Sequence, residues 1–237
     1  MRHPQRQSLP PRGLTLPRAC AASRAVLDLI AESRCLGCDC ASPASLCAEC
    51  AAELEAPLRA LPTRHTLLTH AVALGAYAGP IGTLVRRAKF QHDLRAVGLL
   101  CRSLDAALAV GVPALPDAVV PVPTTPWRVA ARGFHLPDRL AAIAAPHFGA
   151  PVVRPLRRRW GPAQAGRTYG ARLLAGDGLF SLAHPVAGHV LLVDDVVTSG
   201  TSVHAAAAEL LAAGASAVSL VVLGAAGPLR RVPVGIS

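Results

Sequence analysis

The sequence predicts an α/β protein, with a mostly parallel sheet covered by helices on both faces and a small zinc ribbon in front of it. Three observations predict this class. Short apolar runs at 118–122, 190–193 and 217–223 alternate with helical patterns, and continuous apolar strands joined by helices make parallel sheets buried on both sides. Four cysteines stand as two Cys-x2-Cys knuckles, Cys35/Cys38 and Cys47/Cys50, a spacing that closes a tetrahedral thiolate shell around Zn²⁺. The chain has 237 residues, 52% of them hydrophobic, which is enough for one full core and a minor module.

The elements follow in order. Residues 1–20 read as a flexible extension, because Pro and Arg interrupt every apolar stretch there. The same interruptions exclude a secretory leader, and no run of about 18 apolar residues offers a membrane span, so the expected compartment is the cytoplasm. A helix over 22–32 has apolar residues at Ala25, Val26, Leu29 and Ile30; with the cysteine cluster it forms a module over 21–61. A second short helix is expected around 51–61, and a Pro-containing link at Leu61-Pro62-Thr63 opens the main domain, 62–237. Residues 71–77 read as a strand, Gly79-Pro80 starts a helix with Leu84, Val85 and Ala88 on one face, and another helix covers 94–109. A strand at 118–122 precedes a helix at 136–145 and a strand at Val152-Val153. Residues 154–178 read as a long polar connection. The strand at 190–193 leads through a polar turn into an Ala-rich helix at 202–213, closed by Gly214 as a helix C-terminus prefers, and the strand at 217–223 follows.

The formal charge is +10, and Lys89 is the only lysine among 24 basic residues. Composition excludes a disordered or collagen-like chain. Between residues 121 and 172 nine arginines (128, 132, 139, 154, 157, 158, 159, 167 and 172) face only Asp138, so eight of the ten net charges sit there. Phosphate-bearing partners fit such a field, whether nucleic acid or a small phosphorylated metabolite; a solvated arginine surface fits it too. The cysteine segment has no Lys or Arg between residues 35 and 55, which argues against its gripping a phosphate backbone alone. Cys40 is a fifth thiol within reach of the zinc site and a possible substitute ligand, while Cys20 and Cys101 have no partner in the sequence.

The most informative segment is VLLVDDVVTSGTS, residues 190–202. It sets Asp194 and Asp195 at the carboxyl end of a buried strand, where open α/β sheets bind ligands. Thr198, Ser199, Gly200, Thr201 and Ser202 then form a turn into a helix. Gly200 lets consecutive N–H groups converge, the helix start adds a positive dipole end, and four hydroxyls surround the same point, so a phosphate suits the turn. Two adjacent carboxylates would repel that phosphate. They accept hydrogen bonds from vicinal hydroxyls instead, directly or through Mg²⁺. Together the two halves describe a phosphorylated pentose; an isolated Asp pair followed by an ordinary helix cap would be the bland alternative.

This string resembles the thirteen-residue phosphoribosyl-pyrophosphate signature of the type I phosphoribosyltransferase family. Further segments are similar to its ComF-type branch, named for competence: the cysteine module; Tyr77-Ala-Gly79 with Lys89-Phe90; Pro121-Val-Pro123 with Arg128 and Arg132-Gly133-Phe134; and Arg159, Gln164 and Arg172 ending in Gly178-Leu-Phe180. The chain departs from that pattern at His135-Leu136, where the family has Asn-Gln, and at Gly161, Ala175 and His92/Asp93. The resemblance implies a type I phosphoribosyltransferase fold behind a structural zinc site of four cysteines. It also implies binding of phosphoribosyl pyrophosphate with Mg²⁺, and transfer of ribose 5-phosphate with release of pyrophosphate. Asp194 and Asp195 would hold the ribose and act in catalysis, and residues 198–202 would hold the 5′-phosphate. Lys89, Arg132, Arg157, Arg158, Arg159, Gln164 and Arg172 are the candidates for the pyrophosphate and for a lid over it. The alternative is a non-catalytic nucleotide sensor, or a factor handling single-stranded DNA in natural transformation alongside competence-machinery proteins.

Overall fold

The computed structural model describes residues 33–62, 67–111, 115–159 and 178–232. The expected extension at 1–20, the helix at 22–32, Cys20, Gln164, Arg172 and most of the polar connection lie outside them.

The cysteine segment opens with a tight knuckle. Asp39 N–H donates to Cys35 O and Cys35 N–H donates to Cys40 O, both at 2.9 Å, and Arg34 bridges Ala41 in antiparallel fashion. Helix α1, Ala48–Leu54, grows directly out of the second knuckle and carries Cys50 on its buried side. The helix expected at 51–61 is therefore displaced: it starts at Ala48 and stops at Leu54, ahead of Pro57, which has no N–H to continue it. Strand β1, Arg59–Ala60, takes up the remainder.

From there the chain alternates strand and helix as expected. The elements are β2 (Ala71–Ala76), α2 (Gly79–Phe90), α3 (Leu94–Ala109), β3 (Ala118–Pro121), α4 (Pro126–Arg132) and α5 (Leu136–Phe148). A short pair follows, β4 (Leu156–Arg158) with β5 (Phe180–Leu182), and then β6 (Gly188–Val197), α6 (Thr201–Ala212), β7 (Ala215–Ala225) and β8 (Arg230–Arg231). The main sheet has the order β3-β6-β7-β2-β1-β8. Its β3/β6, β6/β7 and β7/β2 pairs are parallel, and β1 and β8 close one edge antiparallel. This is the mostly parallel α/β architecture that the apolar runs predict.

Side-chain alternation along β6 divides the core into two layers. Leu191 and Val193 pack with α2, α3 and α5, in a cluster that includes Leu84, Leu100 and Leu140. Val190 and Leu192 pack on the other face with α6 and the β4–β5 pair, around Phe180, Leu210 and Leu220. Leu36, Leu54 and Leu58 of the cysteine segment belong to the first cluster, so this segment shares the core of the main sheet.

Three local expectations are corrected and one element is added. Residues 156–158 and 180–182 form an antiparallel two-stranded sheet, so Arg157 and Arg158 stand on a strand and not in a loop. Val152 makes only an isolated parallel bridge to Val119, not a regular strand. Strand β6 runs on to Val197, which places both aspartates within the strand rather than beyond it. Helix α4 has no apolar periodicity to announce it and buries none of its side chains. Its signals are local: Pro126 at the first turn and Gly133 in the left-handed conformation after the last.

Candidate functional site

The parallel strands end at a cleft of about 180 Å³. Its acids come from β6, its cations from α2, α4 and β4, and its floor from Pro123, Thr124 and Ser202. Asp194 and Asp195 are adjacent in the chain, so the pleat aims them at opposite faces, and each meets a cation from a different layer. Lys89, near the end of α2, places its ammonium 2.6 Å from Asp195 Oδ1, with both side chains largely buried. Arg158 from β4 lies on the Asp194 side, and the two groups influence each other electrostatically. Burial and the neighbouring Arg128 hold the Arg158 guanidinium below its ordinary value, with Asp194 opposing them; it still remains charged.

Asp194 is the perturbed acid. Burial, then the charge of Asp195, push its carboxyl up to about 8, against the pull of the Asp195 N–H, Lys89 and Arg158. Its Oδ1 accepts that N–H at 2.8 Å. A carboxyl held near neutrality beside a paired one is an environment from which a vicinal diol or a hydrated cation can draw both charge and hydrogen bonds.

The turn after β6 presents its amides at the strand end, with Thr201 N–H reaching Ser199 Oγ only at 3.5 Å. Gly200 sits at φ 78° and begins α6 without any side-chain cap, so the amides of the first turn have no partner from the helix itself. Ser199 Oγ lies 3.0 Å from Thr201 Oγ1, keeping the hydroxyls together at the lip. Thr198 and Ser199 are exposed, Thr201 and Ser202 half-buried. Glycine is favoured here because it has no Cβ to strain the left-handed conformation.

The structure brings Asp194, Asp195, Ser202, Lys89, Arg132 and Arg158 to one cleft, with residues 198–201 next to it. Arg157 and Arg159 are exposed and do not line it, because strand alternation turns them away from Arg158. Lys89, expected to face pyrophosphate, is engaged by Asp195. Arg128, Thr124 and His135 line the cleft without having been singled out as site residues. Arg128 was visible only as part of the family resemblance, and His135 only as a departure from it.

The cysteine cluster is the second candidate site. The sulfurs of Cys35, Cys38, Cys40 and Cys47 all lie within 4.8 Å of one another. Cys38 and Cys47 are 3.7 Å apart, and a tetrahedron with Zn–S bonds of about 2.3 Å has an edge of about 3.8 Å. The residues fit zinc. Burial alone would raise the Cys35 thiol, but N–H groups of Cys47, Cys38 and Gly37 directed at its sulfur outweigh it and bring it to about 6. Cys40 is pushed up to about 12, chiefly by the Cys38 sulfur, and Cys50 is raised by burial and by Cys47 and Cys35. Five thiols thus share one charge-accepting centre. The four gathered sulfurs include the substitute candidate Cys40, which is exposed, in place of the expected Cys50, which is buried on α1.

No family model matches the chain. It is 31% identical to the DNA utilization protein YhgH of Escherichia coli (strain K12) over 230 residues, covering 87% of this chain and 96% of that protein. Among solved structures, the glutamine phosphoribosylpyrophosphate amidotransferase from B. subtilis matches with a TM-score of 0.38 and 22% identity, over 52% of this chain and 26% of that one. The orotate phosphoribosyltransferase from Aeropyrum pernix matches with a TM-score of 0.33 and 26% identity, over 57% and 62%. At TM-scores this low the likeness assigns nothing to this chain. Among the described residues, no helix is long and apolar enough to cross a membrane.

Proposed function

The chain belongs to the family of the DNA utilization protein YhgH, and from that premise and the geometry of the cleft we propose that it binds phosphoribosyl pyrophosphate with Mg²⁺ and transfers ribose 5-phosphate to a nucleophile. The observation that carries the reading is the convergence at the end of β6. Two carboxyl groups, a glycine turn at a helix start and four cations meet around one cleft. The amides of residues 201–203 and the hydroxyls at 198–202 hold the 5′-phosphate. Asp194 and Asp195 take the ribose hydroxyls. Arg128, Arg132 and Arg158 face the diphosphate, whose departure builds negative charge that fixed cations stabilise without reorganising. Mg²⁺, when bound, neutralises the diphosphate and orients it. Catalysis on this plan is positioning and charge stabilisation, with no covalent enzyme intermediate. Zinc at the cysteine cluster is structural, since four thiolates leave no open position for a substrate.

The test is a titration of phosphoribosyl pyrophosphate with and without Mg²⁺, comparing wild type with Asp194→Asn/Asp195→Asn. Saturable, Mg²⁺-dependent binding lost in the variant is expected; absence of binding to the wild type refutes the reading.

A second reading is handling of single-stranded DNA. Trp127 and Phe90 are 56% and 67% exposed near the cleft, in a chain with few aromatic residues. Arg128 lies 5.1 Å from the Trp127 ring and Arg132 6.0 Å from the Phe90 ring. Exposed rings backed by guanidinium groups stack bases without sequence preference. Salt-dependent binding of an oligonucleotide that is lost in Trp127→Ala/Phe90→Ala would favour this reading.

A further inference from the structure

His135 occupies the cleft wall in a defined orientation. Its Nδ1 is 2.9 Å from Asp138 Oδ2, and Asp138 Oδ1 accepts from Arg154 Nε, also at 2.9 Å. An ionised carboxylate only accepts, so Nδ1 carries the proton, and in the neutral ring Nε2 presents a lone pair. That Nε2 is buried and has no hydrogen-bond partner. The ring is otherwise well held: Leu136 and Pro137 following it are buried, and Phe134 before it packs under Arg139. A buried acceptor without a donor, on a residue that lines the cleft, becomes satisfied when a small ring movement lets a ligand hydrogen reach it.

We propose that His135 is a catalytic residue that accepts the proton of the attacking nucleophile. This rests on the phosphoribosyl-transfer reading. The nucleophile donates its N–H or O–H to Nε2. Its lone pair forms the bond to the anomeric carbon while the bond from that carbon to the pyrophosphate oxygen breaks. The electron pair of the broken bond leaves on pyrophosphate, and the proton moves to Nε2. The resulting imidazolium keeps its Nδ1–H on Asp138, whose carboxylate balances the new charge. A lone-pair acceptor at this point selects nucleophiles that bring a hydrogen, amines and hydroxyls, over carboxylates. The charged groups facing the cleft around the ring are Lys89 from α2, Arg128 and Arg132 from α4, Arg158 from β4, and the acid pair from β6. Asp138 and Arg154 complete the set behind it.

The experiment uses the full chain loaded with zinc, phosphoribosyl pyrophosphate with Mg²⁺, and water or methanol as the small nucleophile, neither of which ionises in the range measured. Binding is followed by calorimetry and pyrophosphate release by rate, in wild type, His135→Asn, His135→Gln and Asp138→Asn. Wild type is expected to show a release rate that rises with pH through one ionisation. His135→Asn and His135→Gln should bind within about 3-fold of wild type yet lose the rising limb and about 100-fold in rate. Asp138→Asn should keep the limb, shifted, with a smaller loss. Long-range ¹H–¹⁵N spectra of the histidine rings should show His135 protonated on Nδ1; the opposite tautomer overturns the proposal whether or not the variants fold. Retention of both rate and limb by His135→Asn also overturns it. Wild type that binds but releases no pyrophosphate overturns it while leaving the binding reading standing. Wild type that does not bind overturns both.

Discussion

Replacing Lys89 by Met removes an ammonium from its 2.6 Å contact with Asp195 while keeping the stem in place, and should cost about 3 kcal/mol of folding stability. At an effective dielectric constant of about 20, unit charges at that separation attract by about 6 kcal/mol. Most of this is offset by hydration given up on folding, since the two side chains keep only 18% and 11% of their exposure. Removing one partner does not restore that hydration. It leaves the Asp195 carboxylate buried next to Asp194, and broken buried pairs cost about 3–5 kcal/mol; the open cleft, which admits water, puts this one at the lower end. Asp195→Asn should cost less, about 2 kcal/mol, because the flexible lysine stem can lift its charge towards solvent. The double variant should therefore be more stable than the sum of the singles implies, with a coupling of about 2 kcal/mol. Urea unfolding of all four proteins at neutral pH, followed by circular dichroism, measures it. A coupling below about 0.5 kcal/mol, the value of an exposed pair, would refute the reasoning and return Lys89 to the role of a free cation for pyrophosphate.

Three further outcomes are expected. Gly200→Ala places a Cβ at φ 78° and should lower stability by about 1–2 kcal/mol, read as a drop in Tm, and weaken binding of phosphoribosyl pyrophosphate in the same titration. The folded-state value of Asp194, about 8, lies above its unfolded value of 3.8. Its contribution is therefore complete at acid pH and is lost as pH rises towards 8, so Asp194→Asn should gain on wild type in thermal melts from about pH 5 to pH 9; parallel curves would contradict the assignment. Cys35→Ser, Cys38→Ser and Cys47→Ser should each abolish stoichiometric zinc, whereas Cys40→Ser and Cys50→Ser singly should keep one zinc per chain by using the other thiol, and the double variant should lose it. Metal analysis after dialysis decides this.

How far the sequence could be read depended on whether a segment's conformation was set locally or from a distance. Strands β3, β6 and β7 were legible because their continuous apolar runs are buried on both faces, and the turn at Gly200 because its conformation favours that residue. Helix α4 was not legible, since Trp127, Val129 and its alanines show no buried stripe; Pro126 and Gly133 alone shape it. The β4–β5 pair was hidden because its partners are far apart in the chain, and Leu156-Arg-Arg158 reads as polar connection until Phe180 is brought beside it. The same distance hid the division of labour among Arg157, Arg158 and Arg159, which only pairing to β5 decides. Of the seven arginines of that stretch among the described residues, Arg128, Arg132 and Arg158 line the cleft, a selection composition could not make.

The two aspartates make clear why the site draws on so many elements. Because they point to opposite faces of β6, one layer cannot serve both. Asp195 is matched by Lys89 across the layer of α2, α3 and α5, and Asp194 faces the layer that contains Arg158. A ligand can reach both acids only at the lip where the strand ends, which is also where the Gly200 turn presents its amides. Helix α2 joins this lip to the cysteine segment. At its start, Pro80 lies against Gly37, so closely that a Cβ on Gly37 would come within 3.1 Å of it. Near its end, Arg87 donates to Leu36 O at 3.4 Å, two residues before Lys89. The cysteine cluster thus supports the helix that delivers the cation to Asp195. The cysteine cluster and the cleft are thereby joined through one helix and one core.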